Sequence, residues 1–140
     1  MDYDTMVKEA SPKSTVLSNC IKAFFVGGTI CAIGQVIHNI VAGLGVSQEH
    51  VGTVTAMILV FIAMALTAFG LYSKLGKFAG AGSIVPITGF ANAVAAPAIE
   101  HKKEGIITGV GAKMFTVAGP VIVYGTIASI VVGLIYYFMR

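Results

Sequence analysis

The sequence predicts an all-α integral membrane protein of about four hydrophobic segments. Three observations carry that expectation. Of the 140 residues 56% are hydrophobic and 11% charged, against about 25% charged in soluble domains. Mean hydropathy is +0.89. Apolar runs of about 20 residues recur along the chain, the length that crosses a bilayer core as a helix. The formal charge of +3 is spread over the connecting segments. Such a charge argues against nucleic-acid binding and is of the kind that sets membrane topology.

Residues 1–20 read as a polar N-terminal segment with both charge signs, Pro12 and at most an interfacial helical turn; residues 21–140 read as one polytopic membrane domain. Because charges precede any long apolar run, no signal peptide is expected. The first span is placed at about 21–45. Small residues at Ala23, Gly27 and Cys31, and at Gly28 and Ala32, recur every four positions, a spacing that lets helix backbones approach closely. Farther along, Gln35 and Asn39 share a face, with His38 one position away. In lipid these groups need partners, either across helices or along a solute path. Cys20 and Cys31 are eleven residues apart, about 16 Å along one helix. They cannot bridge each other there. No metal-ligand spacing occurs, so neither a metal nor another cofactor is expected.

A second span is expected at 51–72, ending on Tyr72 at the interface, with Thr53, Thr55 and Thr67 bonding back to their own helix. The connector 46–50 lacks Lys and Arg, whereas the expected loop 73–77 carries Lys74 and Lys77. By the positive-inside rule the N-terminus and the 73–77 loop then lie on the cytoplasmic side.

Residues 78–99 are long enough to span but carry Gly80, Gly82, Pro86, Gly89 and Pro97. Two readings are open: a kinked continuous span, or a broken, re-entrant helix whose second half starts at Pro86. A backbone broken at membrane depth has to be buried in protein or line a wet cavity. Gly80 and Gly82 are expected to permit close packing, and Pro86 and Gly89 to mark the break. Ser83, Thr88 and Asn92 would then be presented near a half-helix N-terminus, where unpaired N–H groups attract anions. The cluster 100–104 (EHKKE) reads as a solvated loop. Its Glu-His pair lacks the nucleophile, base and orienting group of an enzyme site, so no catalytic residue is assigned. If 78–99 crosses fully, Lys102 and Lys103 fall outside, against the rule; if it dips and returns, they stay inside.

Residues 105–139 are uncharged except at Lys113 and exceed one ordinary span. A second broken segment, 106–120, is expected to end at Gly119-Pro120, followed by a span to 139. Lys113 either snorkels back past Glu104 or lines an anion path with Thr88, Asn92, Ser83 and Gln35.

The runs FxVGGxICxIGQ (24–35) and AGAGSxVPITGFAN (79–92), with EHKKEG at 100–105, closely resemble the stage V sporulation protein AC/AE family of spore-forming Firmicutes, and the Glu-His-Lys at 100–102 resembles its AC branch. The resemblance covers the chain from about residue 20. It implies a subunit of a multi-subunit complex in the forespore and spore inner membrane. That complex is associated with moving dipicolinic acid, as its calcium chelate, into the forespore and out on germination. It also implies a channel component opened by membrane tension, with an AE-type paralogue or further copies as partners. No residue-level site comes with the resemblance. A chain this short has little room to enclose a pore, so hetero- or homo-oligomerisation is expected. The alternative is a non-conducting scaffold that packs a partner through the Gly27/Cys31 stripe.

Overall fold

The computed structural model describes residues 15–139 and is helical throughout apart from short connections. The expected turn of helix within residues 1–14 lies outside the described residues. The elements are α1 (Val16–Gly43), α2 (Gln48–Ala68), α3 (Leu71–Ala79), a 3-10 turn (Gly80–Ser83), α4 (Pro86–Glu100), a second 3-10 turn (Lys102–Glu104), a π-helical turn (Ile106–Gly111) and α5 (Ala112–Met139). Val16–Gly43, Gln48–Ala68 and the continuous stretch Ile106–Met139 are long and apolar enough to cross a membrane. The fold is that of an all-α membrane protein, and its exposed Phe, Ile and Leu side chains form the surface a lipid solvent requires.

α1 and α2 form a hairpin. Gly45 (φ 83) lies just past the end of α1, and Gly70 (φ 69) just past that of α2. A left-handed residue there ends a helix, and glycine enters that region without a Cβ clash. A Cβ placed on Gly34 would lie 3.5 Å from Leu59 Cδ1, and Val41 and Val51 are buried near the hairpin loop. α4 packs mainly on α2, and the 80–83 turn packs on α1.

Three expectations are corrected. The first helix begins at Val16 rather than 21: residues 16–20 lack a helix breaker, so the helix runs through them although Ser18 and Asn19 are polar. The expected loop 73–77 is helical within α3. Tyr72 and Ala79 are buried while Leu75 and Gly76 are half-buried, positions that share one helical face. Tyr72 therefore points into the protein rather than into the headgroups. Finally, no break occurs at Gly119-Pro120, which lies inside α5. Proline removes one N–H bond, but unwinding the helix in lipid would strand several backbone groups. The irregularity falls earlier, in the π turn at 106–111.

Candidate functional site

The 78–99 region is a helix, a break and a second helix. Gly80 adopts φ 53, which turns the chain out of α3 into the 3-10 turn. The turn is seated on α1 by small residues alone. A Cβ placed on Gly27 would lie 3.4 Å from the Gly82 carbonyl oxygen, and one on Gly82 only 2.7 Å from Ala23 Cα. The stripe read as a helix-packing surface thus receives the chain's own turn at Ala23 and Gly27. Gly28 has open space around it, and Cys31 is a free, exposed thiol; both border the groove beside that turn.

Polar groups fasten the turn from the other side. The buried Tyr72 hydroxyl donates to the Ser83 carbonyl oxygen at 2.8 Å. Ser83 Oγ donates to the Gly80 carbonyl oxygen at 2.8 Å. Val85 is extended (φ −65, ψ 130) and Pro86 opens α4, the position where a missing N–H is harmless and the fixed φ is already helical. Gly89 N–H donates to the Val85 carbonyl oxygen at 2.7 Å. A Cβ on Gly89 would come within 3.2 Å of the Ser83 carbonyl oxygen, so glycine lets the break fold tightly over the first turn of α4.

This helix start has no side-chain cap, leaving the N–H groups of Ile87 and Thr88 without intrahelical acceptors. Thr88 adds a second orphan. Its side chain is 6% exposed, and its Oγ1 has no hydrogen-bond partner. It borders a cavity of about 90 Å3 walled by Ile30, Ile33, Leu59, Ile62 and Tyr72 among others. A buried unpaired hydroxyl costs roughly 1–3 kcal/mol.

Asn92 is used differently. Thr67 Oγ1 lies 2.7 Å from the Ala63 carbonyl oxygen and 2.9 Å from the Asn92 amide. One hydroxyl hydrogen serves one acceptor at a time, so Thr67 divides its donation between the Ala63 carbonyl oxygen within α2 and Asn92 Oδ1 across the helices. Asn92 thereby links α4 to α2. A double-mutant cycle with Thr67→Val and Asn92→Leu should return a coupling of about 0.6 kcal/mol, the mean for membrane side-chain hydrogen bonds; detergent unfolding of the four proteins measures it.

The other candidates lie elsewhere. Gln35 Nε2 donates to Asn39 Oδ1 at 2.9 Å on an exposed face of α1. Lys113 is half-buried in the first turn of α5. Its neighbour Met114 shares a crevice with Ala98 and Ile99, toward the C-terminal end of α4. Ten residues of α4 separate Ala98 from Thr88, about 15 Å. Ser83, Pro86, Thr88 and Gly89 therefore cluster with Gly80, Gly82 and Gly27 around the break. Lys113, Gly119 and Pro120 sit apart on α5. Sequence reasoning missed Tyr72 as the clamp on Ser83; the 72, 75, 76, 79 periodicity was the available signal. Among the described residues no group of three or more His, Cys, Asp or Glu side chains could hold a metal ion.

The family model for the SpoVAC/SpoVAEB sporulation membrane proteins matches residues 19–135, which include all but the first three residues of α1, the break and α4. Stage V sporulation protein AC of Bacillus subtilis (strain 168) is 47% identical over 137 residues, covering 97% of this chain and 91% of that protein. No solved structure matches the chain. With the broken helix and its seat on α1 both inside the matched region, this multi-pass membrane protein belongs to the SpoVAC/SpoVAEB sporulation membrane protein family.

Proposed function

We propose that the chain is a non-enzymatic subunit of a channel or transporter in the forespore and spore inner membrane, moving dipicolinic acid as its calcium chelate inward during sporulation and outward in germination. The observation that carries this reading is the uncapped α4 N-terminus, with the orphan Thr88 hydroxyl beside it, set behind a backbone break. Discontinuous helices of this kind build substrate sites in transporters, and their N-terminal ends favour anionic groups. Pyridine dicarboxylate is a small aromatic dianion, of the sign this helix end attracts. α4 has 15 residues, about 22 Å, less than the roughly 30 Å of a hydrocarbon core. A re-entrant α4 keeps Lys102 and Lys103 on the same side as Lys74 and Lys77, in accord with the positive-inside rule.

The cavity at Thr88, at about 90 Å3, is too small for a dicarboxylate chelate. In this reading it belongs to a closed state, and separation of α4 from α1 opens it; membrane tension is a suitable stimulus because it favours states of larger cross-section. Gln35 and Asn39 face outward on α1, so a second subunit, a copy or an AE-type paralogue, completes the path. Lys113, on another face, then attracts the anion toward an entrance rather than contacting it at Thr88.

Two substitutions test the reading through dipicolinate content and release in spores. Thr88→Val removes the orphan hydroxyl and should stabilise the protein by about 1 kcal/mol, yet slow solute movement. Lys113→Gln should reduce accumulation severalfold with little change in stability. Unaltered accumulation and release in both variants would refute the path assignment.

The second reading, a non-conducting scaffold that organises a multi-subunit complex, draws on α5. Every residue from 121 to 138 is exposed, leaving half of a long helix for other subunits, and Gly28 and Cys31 remain open on α1. Dipicolinate flux through liposomes reconstituted with the chain, alone and with an AE-type paralogue, separates the readings: absence of flux in both favours the scaffold.

A further inference from the structure

We propose that the groove between the N-terminal end of α1 and the C-terminal end of α3 binds the headgroup of an anionic phospholipid. The groove measures about 380 Å3 and is lined by Val16, Asn19 and Cys20 on α1 and by Lys77, Phe78 and Gly80 across from them. Lys22 approaches the same place: its Nζ lies 5.4 Å from the centroid of the Phe78 ring. Asn19 and Lys77 thus line the groove, and the Lys22 ammonium lies against Phe78, one of its walls. The cation–π contact occupies one side of the Lys22 ammonium, which leaves N–H donors for a phosphate oxygen.

Charge is distributed to favour an anion here. Between residues 15 and 99 the sole carboxylate is Glu49, in the first turn of α2 at the hairpin-loop end. Lys22, Lys74 and Lys77 gather at the other end with no carboxylate on α1, α3 or the turn to offset them. Such an end is attracted to an anionic leaflet, each lysine near the surface contributing about a fivefold change in affinity. The walls select a lipid over a free anion. Val16 is 66% and Phe78 61% exposed, and these apolar surfaces flank the cationic opening where the first acyl methylenes would lie. Lysine stems that bury their methylenes while the ammonium stays at headgroup level suit the same geometry. A headgroup held there ties α1 to α3 just before Gly80, and so steadies the entry to the break. This inference requires no solute path and does not rest on the transport reading.

The test uses the full chain in a neutral detergent, titrated with dioctanoyl phosphatidylglycerol and, in parallel, with dioctanoyl phosphatidylcholine; native mass spectrometry reads bound lipid. Phosphatidylglycerol should be retained at least tenfold more tightly, roughly the effect of one to two lysines. Lys22→Gln with Lys77→Gln should weaken its binding by about 25-fold, and Lys77→Gln alone, on an exposed helix surface, by about fivefold. Lys22→Arg with Lys77→Arg should restore it. Lys102→Gln with Lys103→Gln, which removes the same charge elsewhere, should leave it unchanged. Equal retention of phosphatidylcholine, or equal weakening by the 102/103 pair, would overturn the proposal. Inorganic phosphate that displaces the lipid at comparable concentration would assign the groove to a free anion and overturn it as well.

Discussion

Gly82→Ala should destabilise the protein by about 3 kcal/mol, a substitution of one hydrogen by one methyl. The new Cβ would collide with the Ala23 carbonyl oxygen and stand 2.7 Å from Ala23 Cα and 2.9 Å from its carbonyl carbon. All three atoms belong to the backbone of α1, so no side chain can rotate aside. The turn has to lift off the helix, and the Tyr72–Ser83 hydrogen bond shifts with it. Two neighbours supply the contrast. Gly27→Ala meets the Gly82 carbonyl oxygen at 3.4 Å, ordinary contact distance, and should be nearly neutral. Gly28→Ala meets nothing within 4 Å and should stabilise α1 by about 0.5–1 kcal/mol, the usual helix gain of alanine over glycine. Thermal unfolding in detergent reads all three, with the Gly82 variant melting on the order of 10 °C lower. Equal melting temperatures for the Gly82 and Gly28 variants would mean that the turn does not sit on α1.

The contrast between these glycines also marks how far the amino-acid sequence carries. Spacing by four at Ala23 and Gly27 identified a surface made for close approach, because small residues in a lipid-soluble helix have little other use. What approaches it was not legible: a second helix and a tight turn leave the same imprint on α1. The all-α membrane class followed from run length and composition, and Pro86 marks the start of α4 because proline at the first helical position is favoured by its own geometry. Pro120 carries the same residue type to the opposite outcome. It lies within a long apolar run where lipid penalises every unpaired backbone group, so the helix continues through it. Tyr72 was misplaced for a related reason. A tyrosine at the end of an apolar run suits a membrane interface, and only its partnership with Ser83, eleven residues on, draws it inward. Such contacts depend on the return path of the chain after Gly70, which no local pattern encodes. The same holds for Lys113: its rarity within an apolar stretch singled it out, but its separation from Thr88 follows from how α5 meets α4.

Gly109→Ala tests that junction and should have an effect of similar size, about 2–3 kcal/mol. The π turn at 106–111 is wound so that Val110 N–H reaches the Gly105 carbonyl oxygen at 3.0 Å, with Gly109 N–H at 3.2 Å from the same acceptor. That extra residue per turn presses Gly109 onto the preceding 3-10 turn. A Cβ there would collide with the His101 carbonyl oxygen and lie 2.9 Å from Glu104 Cβ and 3.1 Å from the Glu104 carbonyl carbon. The least disruptive escape is to rewind the segment as α-helix. One residue of register corresponds to about 100° of rotation, so the face on which Lys113 emerges would turn with it. The expected result is therefore twofold: a lower melting temperature, and a changed rate of labelling by a membrane-impermeant thiol reagent at Lys113→Cys, measured with Cys20 and Cys31 replaced by Ser in both backgrounds. Gly119→Ala, which meets nothing within 4 Å inside α5, should raise the melting temperature slightly, by the helix gain of alanine over glycine, and leave the labelling unchanged. A Gly109 variant that melts lower but labels unchanged would confine the damage to the 101–109 contact. One that changes both would make the π turn the element that sets which way Lys113 faces, and would link the irregular backbone at 106–111 to the single cation of the last span.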